Sequence, residues 1–220
     1  MVERLLNYIC IFLSLILVLP VHEYAHAVVA VKCGDNTPKF YNRLTLNPVS
    51  HFDLRGVLCF VLFGFGWAKP VPINPYNFKN RKRDTILVSS AGVIANYLLA
   101  FIAYPLCILS LRIADFGYFT YVLQVSLYYV FSLSLVFFIF NLIPVYPLDG
   151  FRIVDALTTR RGAFYNFLYR YGPFVLMGLF VLSFVADVTG FWQIDILGIA
   201  INFLVDKISI PITAFWGLIF

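Results

Sequence analysis

The sequence predicts a multi-pass α-helical membrane protein with a short membrane-associated β or re-entrant region. Three observations support this fold class. Hydrophobic residues make up 61% of the 220 residues and charged residues only 12%, whereas an ordinary soluble domain carries about 25% charged residues. Apolar runs recur along the chain, and about 20 helical residues are enough to span the ~30 Å core of a bilayer. The positive charges are concentrated in two of the segments between those runs.

The first predicted membrane helix covers residues 5–31, which would extend over about 40 Å as an α-helix. Pro20 lies inside it and removes a backbone hydrogen bond, so we expect a kink shortly before the polar residues that follow. Residues 25–27 imitate a signal-peptide cleavage site. The nearly neutral amino terminus argues against cleavage, and we expect the helix to be retained.

A polar connector follows at residues 32–55, and the imperfect alternation of residues 39–46 predicts one or two short strands. Residues 56–68 are apolar and include Gly64 and Gly66. Thirteen helical residues reach only about 20 Å, which is too short to cross the ~30 Å core. This segment is therefore expected to enter the membrane and return to the same side.

The rest of the chain alternates between apolar spans and polar loops. Further spans are predicted at residues 85–111, 118–143 and 173–188. Residues 151–171 predict a basic loop between the last two of these spans. Residues 194–220 are apolar enough for a fifth span, but Asp206 and Lys207 interrupt them and leave the crossing open.

The positive charges predict the orientation of the chain. Residues 32–84 hold nine Lys and Arg residues and residues 150–171 hold four, which together are 13 of the 16. Cytoplasmic loops of membrane proteins carry such an excess. Both segments face the cytoplasm if 85–111 and 118–143 cross as a there-and-back pair. The net charge of +5 therefore reflects membrane orientation and contact with acidic lipid headgroups, and we expect no nucleic-acid partner.

A His-Glu-x-x-His motif lies within the first helix, at His22, Glu23 and His26. Residues i and i+4 share one face of an α-helix, so the two histidines can bind one metal ion together. Glu23 is placed to take a proton from a water molecule that the metal activates. Ionisable residues inside a membrane helix mark a functional site by default, because their burial is expensive. The motif predicts a zinc-dependent protease whose site lies within the membrane.

A catalytic zinc ion usually has three protein ligands, so one more ligand is expected at the same depth. Asp149 is preferred because it follows an apolar span and two prolines, Pro144 and Pro147, that force the backbone out of a helix. Cys33, seven residues after His26, is a weaker possibility. Three more side chains remain candidates for the third ligand, namely His51, Asp53 and Asp155.

Two asparagines in apolar spans are candidates for substrate contact. The oxyanion of peptide hydrolysis needs a hydrogen-bond donor besides the metal. We predict that Asn96 is this catalytic donor and that both Asn96 and Asn141 bind substrate. A hydrogen bond between helices is the alternative role for either side chain.

Together these motifs resemble the site-2 protease family of intramembrane zinc metalloproteases. The likeness rests on residues 22–26, on the Ala-Gly-Val-Ile-Ala-Asn stretch at 91–96, and on 141–150, which ends in Leu-Asp-Gly. It covers residues 5–150. Members of the family commonly have Pro after the Gly of the middle motif, where this chain has Val93.

The resemblance implies one membrane-embedded metalloprotease domain over residues 1–220. Its catalytic core would be three motif-bearing helices within 5–150, with the β region between the first two, and further helices would follow at 173–220. It implies one Zn²⁺ per chain and cleavage of membrane-protein substrates within or near their transmembrane segments, known as regulated intramembrane proteolysis. The chain would be a multi-pass protein of the cell membrane with its active site towards the cytoplasm. Because PDZ and CBS modules are missing, it resembles the minimal core class.

An ion or proton carrier is the main alternative from another class, since intramembrane His, Glu and Asp also mark ion pathways. Such a carrier has no need for two histidines one helical turn apart with a Glu between them. It also has no need for prolines ahead of Asp149. A relative without metal is disfavoured because the expected catalytic positions are all present.

Overall fold

The structure, a computed structural model, describes residues 2–63 and 66–220, and the side chains of residues 4 and 63 are outside that description. Within this range the chain forms eight α-helices, namely α1 (Val2–Lys32), α2 (Thr37–Phe40), α3 (Leu54–Phe63), α4 (Arg81–Ser110), α5 (Tyr118–Leu142), α6 (Asp149–Leu157), α7 (Ala163–Thr189) and α8 (Ile196–Gly217). Short 3₁₀ turns lie at Pro48–Ser50, Pro75–Asn77 and Trp192–Ile194.

Five of the described helices, α1, α4, α5, α7 and α8, are long and apolar enough to cross a membrane. The multi-pass prediction is therefore confirmed. α8 continues through Asp206 and Lys207 without a break, so the segment that the sequence left open has the length and composition of a fifth span.

The helices α1, α4 and α5 pack against one another, and α8 packs on α4 and α5. Their contact centres on Val18 of α1, Ala100 and Ala103 of α4, and Leu135 of α5, all at most 3% exposed. Small residues such as the two alanines let helix backbones approach closely, which is how helices associate where lipid is as apolar as their side chains.

The strands expected at residues 39–46 do not form. Residues 37–40 are helical, and the backbone N–H of Arg43 donates to the carbonyl oxygen of Pro38 at 2.8 Å. Pro38 sits in the first turn of α2, where its missing N–H costs nothing and its fixed φ favours a helix. Local turn hydrogen bonds thus satisfy a backbone that the alternation pattern assigned to a sheet.

No strand forms in residues 56–63 either, and this part of the segment that was expected to re-enter the membrane lies in helix α3. Among the described residues, β pairing is limited to one isolated antiparallel bridge between Phe52 and Ala68. The backbone N–H of Lys69 donates to the carbonyl oxygen of His51 at 2.7 Å. After this segment the chain therefore comes back at Lys69 to the position of His51, which precedes it. Gly64 lies outside the described residues.

The basic loop predicted at residues 151–171 is mostly helical. α6 covers its first part, and α7 begins at Ala163, ten residues before Pro173. The prediction placed the helix start at the proline, but Pro is tolerated inside membrane helices where neighbouring groups satisfy the freed carbonyl.

Candidate metal centre

Helix α1 places His22 and His26 one turn apart and buries both, at 5% and 4% exposed. Their ring centroids are 4.6 Å apart, and the two Nε2 atoms are 3.0 Å apart. The i, i+4 spacing thus brings one nitrogen from each ring to the same point, as the sequence pattern requires.

Asp149 reaches the same point from the first residue of α6. Its Oδ2 atom is 3.3 Å from Nε2 of His22 and 3.0 Å from Nε2 of His26. The next residue must be small, because a Cβ on Gly150 would lie 2.3 Å from the carbonyl oxygen of Leu142. The absence of a side chain there lets the start of α6 pack against the end of α5, which carries Asp149 to the histidines.

The three side chains fit a zinc ion. Atoms bound at 2.0–2.1 Å around a tetrahedral centre lie about 3.3–3.4 Å apart, close to the 3.0–3.3 Å separations between these ligand atoms. Asp149 Oδ2 is buried and faces Nε2 of both histidines. These three ligand atoms converge on one buried point, and an anionic carboxylate with two imidazole nitrogens is a donor set that suits a cation such as Zn²⁺.

The carboxyl group of Asp149 favours its charged form. Burial opposes ionisation, but the neighbouring imidazoles of His26 and His22 outweigh it and lower the pKa of Asp149 below its ordinary value. A deprotonated carboxylate is the form that binds a metal.

Helix α4 lies behind the two histidines. The carbonyl oxygen of Val88 accepts a hydrogen bond from Nδ1 of His26 at 2.7 Å. A Cβ on Gly92 would lie 2.3 Å from Nε2 of His26 and 2.7 Å from Cε1 of His22, so the helix can approach only with glycine at this position. The amide nitrogen of Asn96 lies 3.1 Å from Nδ1 of His22.

Glu23 lines the same cavity as the three candidate ligands, a space of about 110 Å³. One of its carboxylate oxygens, Oε2, accepts a hydrogen bond from the backbone N–H of Val71 at 3.1 Å. Val71 stands between Pro70 and Pro72, so its N–H is the one backbone donor of that tripeptide. Sequence reasoning missed this contact, although a lone donor between prolines was a usable signal.

The segment that carries Val71 is held over α1 by Asp35. Its carboxylate accepts hydrogen bonds from the backbone N–H of Asn74 at 2.7 Å, from the side-chain amide of Asn77 at 2.8 Å, and from Thr37. Burial raises the pKa of Asp35, but these hydrogen bonds outweigh it and lower the pKa below its ordinary value. Asp35 therefore joins the two ends of the connector between α1 and α4.

The two asparagines predicted as substrate contacts differ in position. Asn141 is half-buried and lines the cavity, and its amide N–H donates to the carbonyl oxygen of Phe137 at 3.1 Å. Asn96 is fully buried behind His22 and is not part of the cavity lining. Arg152, which the sequence did not single out, lines the cavity one turn after Asp149.

The competing candidates for the third ligand lie elsewhere and have other partners. His51 is buried, with its Nε2 atom 2.8 Å from the carbonyl oxygen of Thr45. Asp53 accepts hydrogen bonds from backbone N–H groups in the first turn of α3. Asp155 accepts hydrogen bonds from the side chains of Tyr165 and Arg161. Cys33 packs in an apolar cluster at the end of α1.

Comparison with known proteins identifies the family. The family model described as "Peptidase family M50" matches residues 111–183, which include Asp149. A protein of Bacillus subtilis (strain 168) named "Putative zinc metalloprotease YwhC" is 42% identical over 147 residues, covering 66% of this chain and 67% of that protein. The chain belongs to peptidase family M50. No solved structure matches it.

Membership in family M50 confirms the resemblance to site-2 proteases and the predicted enzyme class. This M50 peptidase is a zinc metalloprotease with membrane-length helices. Membership in this family therefore implies a zinc ion. His22, His26 and Asp149 form a group of side chains that could hold it.

Proposed function

We propose that this M50 peptidase hydrolyses peptide bonds within or near the transmembrane segments of membrane proteins. His22, His26 and Asp149 would hold one zinc ion per chain. The observation that carries the proposal is the position of this buried group inside α1. His22 lies ten residues before the end of that helix at Lys32, or ~15 Å along its axis, within an apolar span.

The chemistry that zinc supplies in such a site is the acidification of a water molecule and the polarisation of a carbonyl group. Glu23 would act as the general base that takes the proton of the attacking water and then returns it to the leaving amine. The backbone N–H of Val71 holds one oxygen of Glu23. The other oxygen would accept the proton.

Asn141 would contact the substrate from the cavity wall, where its amide oxygen and the guanidinium of Arg152 offer polar partners to a peptide. The oxyanion role expected for Asn96 is a prediction that its burial outside the cavity lining does not favour. A helical substrate hides its carbonyl groups in its own hydrogen bonds, so the substrate must be unwound where it is cut.

We propose that α3 lies in the membrane beside the site. Its side chains Leu54, Val61 and Leu62 are 76%, 68% and 67% exposed, which is unfavourable in water and favourable in lipid. The rings of Phe52 and Phe12 are 6.0 Å apart, and Phe12 is ~15 Å along α1 from His22. This contact supports a segment that dips into the bilayer and returns.

The protein would reside in the cell membrane as one membrane-embedded domain, with the metal centre towards the cytoplasm. The concentration of Lys and Arg in residues 32–84 and 150–171 supports this orientation. The lipid bilayer and a membrane-protein substrate would be its partners.

The change Glu23→Gln tests the proposal. The amide cannot accept the proton of water and is not among the proposed ligands, so cleavage should be lost while bound zinc remains near one per chain. Turnover would be measured in liposomes on a panel of reporters that each carry one transmembrane segment, and zinc by mass spectrometry of the purified protein. Glu3→Gln is the matched control, because Glu3 is the other glutamate of the chain and stands in the first turn of the same helix.

Near-normal turnover in the Glu23→Gln variant would exclude Glu23 as the base. Loss of zinc from that variant would place Glu23 among the ligands instead. Loss of turnover in the Glu3→Gln control would mean that the assay reports helix stability rather than chemistry.

A further inference from the structure

Three positions of α4, each one turn apart, face the two histidines of α1. Val88 lies against His26, Gly92 lies against both rings, and Asn96 lies against His22. The spacing of four residues on α4 matches the spacing of four residues on α1. Each histidine therefore has a partner on its Nδ1 atom, on the side of the ring away from Asp149.

The two partners differ in chemistry. The carbonyl oxygen of Val88 can only accept, so the His26 bond requires a proton on Nδ1 and leaves Nε2 with a lone pair. The amide of Asn96 can either donate or accept. As it stands, its nitrogen faces Nδ1 of His22 at 3.1 Å, while its oxygen is buried without a partner among the described residues.

A histidine that binds zinc through Nε2 carries its proton on Nδ1 and usually donates that proton to a neighbouring group. Rotation of the Asn96 amide by half a turn exchanges its oxygen and nitrogen, which have nearly the same shape. The rotated amide presents its oxygen to Nδ1–H of His22. The oxygen, which is buried without a partner in the present orientation, thereby gains a hydrogen bond.

We propose that Asn96 is a positioning residue for His22, whose amide oxygen accepts Nδ1–H and keeps the Nε2 lone pair directed at the metal. The inference rests on the proposed ligand role of His22. The same amide serves the other tautomer by turning its nitrogen to Nδ1, so one side chain supports both the metal-free and the metal-loaded ring. Asn96 would thereby accept the Nδ1–H of His22, just as the carbonyl oxygen of Val88 accepts the Nδ1–H of His26.

Zinc affinity in variants of the full chain tests this role. Asn96→Ala removes the acceptor and should weaken zinc binding, measured by competition with a chelator, by about 10–100-fold. Asn96→Asp keeps an acceptor oxygen and should bind zinc within a few-fold of the wild type. Asn7→Ala is the control for packing, because Asn7 of α1 accepts an interhelical hydrogen bond from Tyr121 at 2.9 Å and should leave zinc affinity unchanged.

If Asn96 were an oxyanion donor instead, the opposite results would be expected for its variants. Zinc affinity would then be unchanged in both Asn96 variants, and turnover would be lost in both because a carboxylate cannot donate. Wild-type zinc affinity in Asn96→Ala, or an equal loss in the Ala and Asp variants, overturns the positioning role. Absence of bound zinc in the wild type would instead overturn the proposed ligand set.

A second measurement covers the case in which the Asp variant does not fold. The chain has three histidines, so proton NMR of imidazole N–H groups in zinc-loaded, ¹⁵N-histidine-labelled protein is tractable. A slowly exchanging Nδ1–H of His22 is expected in the wild type, with fast exchange in Asn96→Ala and unchanged exchange in Asn7→Ala. Fast exchange in the wild type overturns the proposal.

Discussion

The motif-bearing helices α1, α4 and α5 differ from α7 and α8 in what they bury. The first group buries polar side chains deep inside apolar spans, among them Ser14, His22, His26, Asn96 and Ser134. In α7 and α8 the buried side chains of the described residues are apolar or glycine, and many large apolar side chains are exposed.

Burying a polar group inside a membrane costs free energy unless the group is paired, and such groups concentrate at functional sites. The difference between the two groups of helices therefore separates those that carry the candidate metal centre from those whose surfaces suit lipid. It also predicts that comparable substitutions in the two groups have unequal effects.

The largest difference is expected between two glycines. A Cβ at Gly92 of α4 would press on both histidine rings, whereas one at Gly178 of α7 meets nothing within 4 Å. Gly92→Ala should displace the rings and lower turnover by about 10²-fold, the cost of a misplacement near 1 Å. Gly178→Ala should leave turnover unchanged. Equal turnover in the two purified variants would remove the distinction between core and lipid-facing helices.

A smaller difference is expected between two large apolar residues. Leu135 of α5 is fully buried in the helix contact, whereas Phe203 of α8 is 60% exposed. Leu135→Ala leaves a cavity and should cost about 2 kcal/mol, the lower end for such changes, because lipid contributes no transfer term. Phe203→Ala should lower the unfolding temperature in lipid nanodiscs far less. A larger loss from Phe203→Ala would indicate that α8 has a protein partner.

The site was predictable wherever its geometry depends on local spacing. His22, Glu23 and His26 follow from helical periodicity. Asp149 followed from prolines that end a span beside a carboxylate, and the structure brings it to the histidines. Their role as zinc ligands remains a proposal.

The contacts between distant segments were not predictable in the same way. The bond from Val71 to Glu23 joins residues 48 positions apart, and the approach of Gly92 to the histidines depends on how α4 packs on α1. No periodicity within either segment encodes such pairings. Asn96 was recognised as a polar residue in an apolar helix, but only its distance to Nδ1 of His22 distinguishes a partner of the ring from a contact of the substrate.

The prediction of strands in the connector between α1 and α4 was wrong for a physical reason. Short segments with mixed apolar and polar residues fit strands and turns almost equally well, and tertiary contacts decide between them. In residues 37–43 turn hydrogen bonds form locally. Residues 56–68 were predicted to re-enter the membrane because they are too short to cross it, and the first described part of this segment is helix α3. The bridge between Phe52 and Ala68 is compatible with the expected return of this segment to the same side of the membrane.

The zinc-to-protein ratio of the Asp149→Ala variant tests most directly whether the two motifs form one metal centre. Asp155→Ala is the matched control, because Asp155 lies on the same helix α6 and pairs with Arg161 and Tyr165. The account predicts about one zinc per chain in the wild type and in Asp155→Ala, and a ratio well below one in Asp149→Ala. A full zinc complement in Asp149→Ala, or loss of zinc in Asp155→Ala, would contradict it.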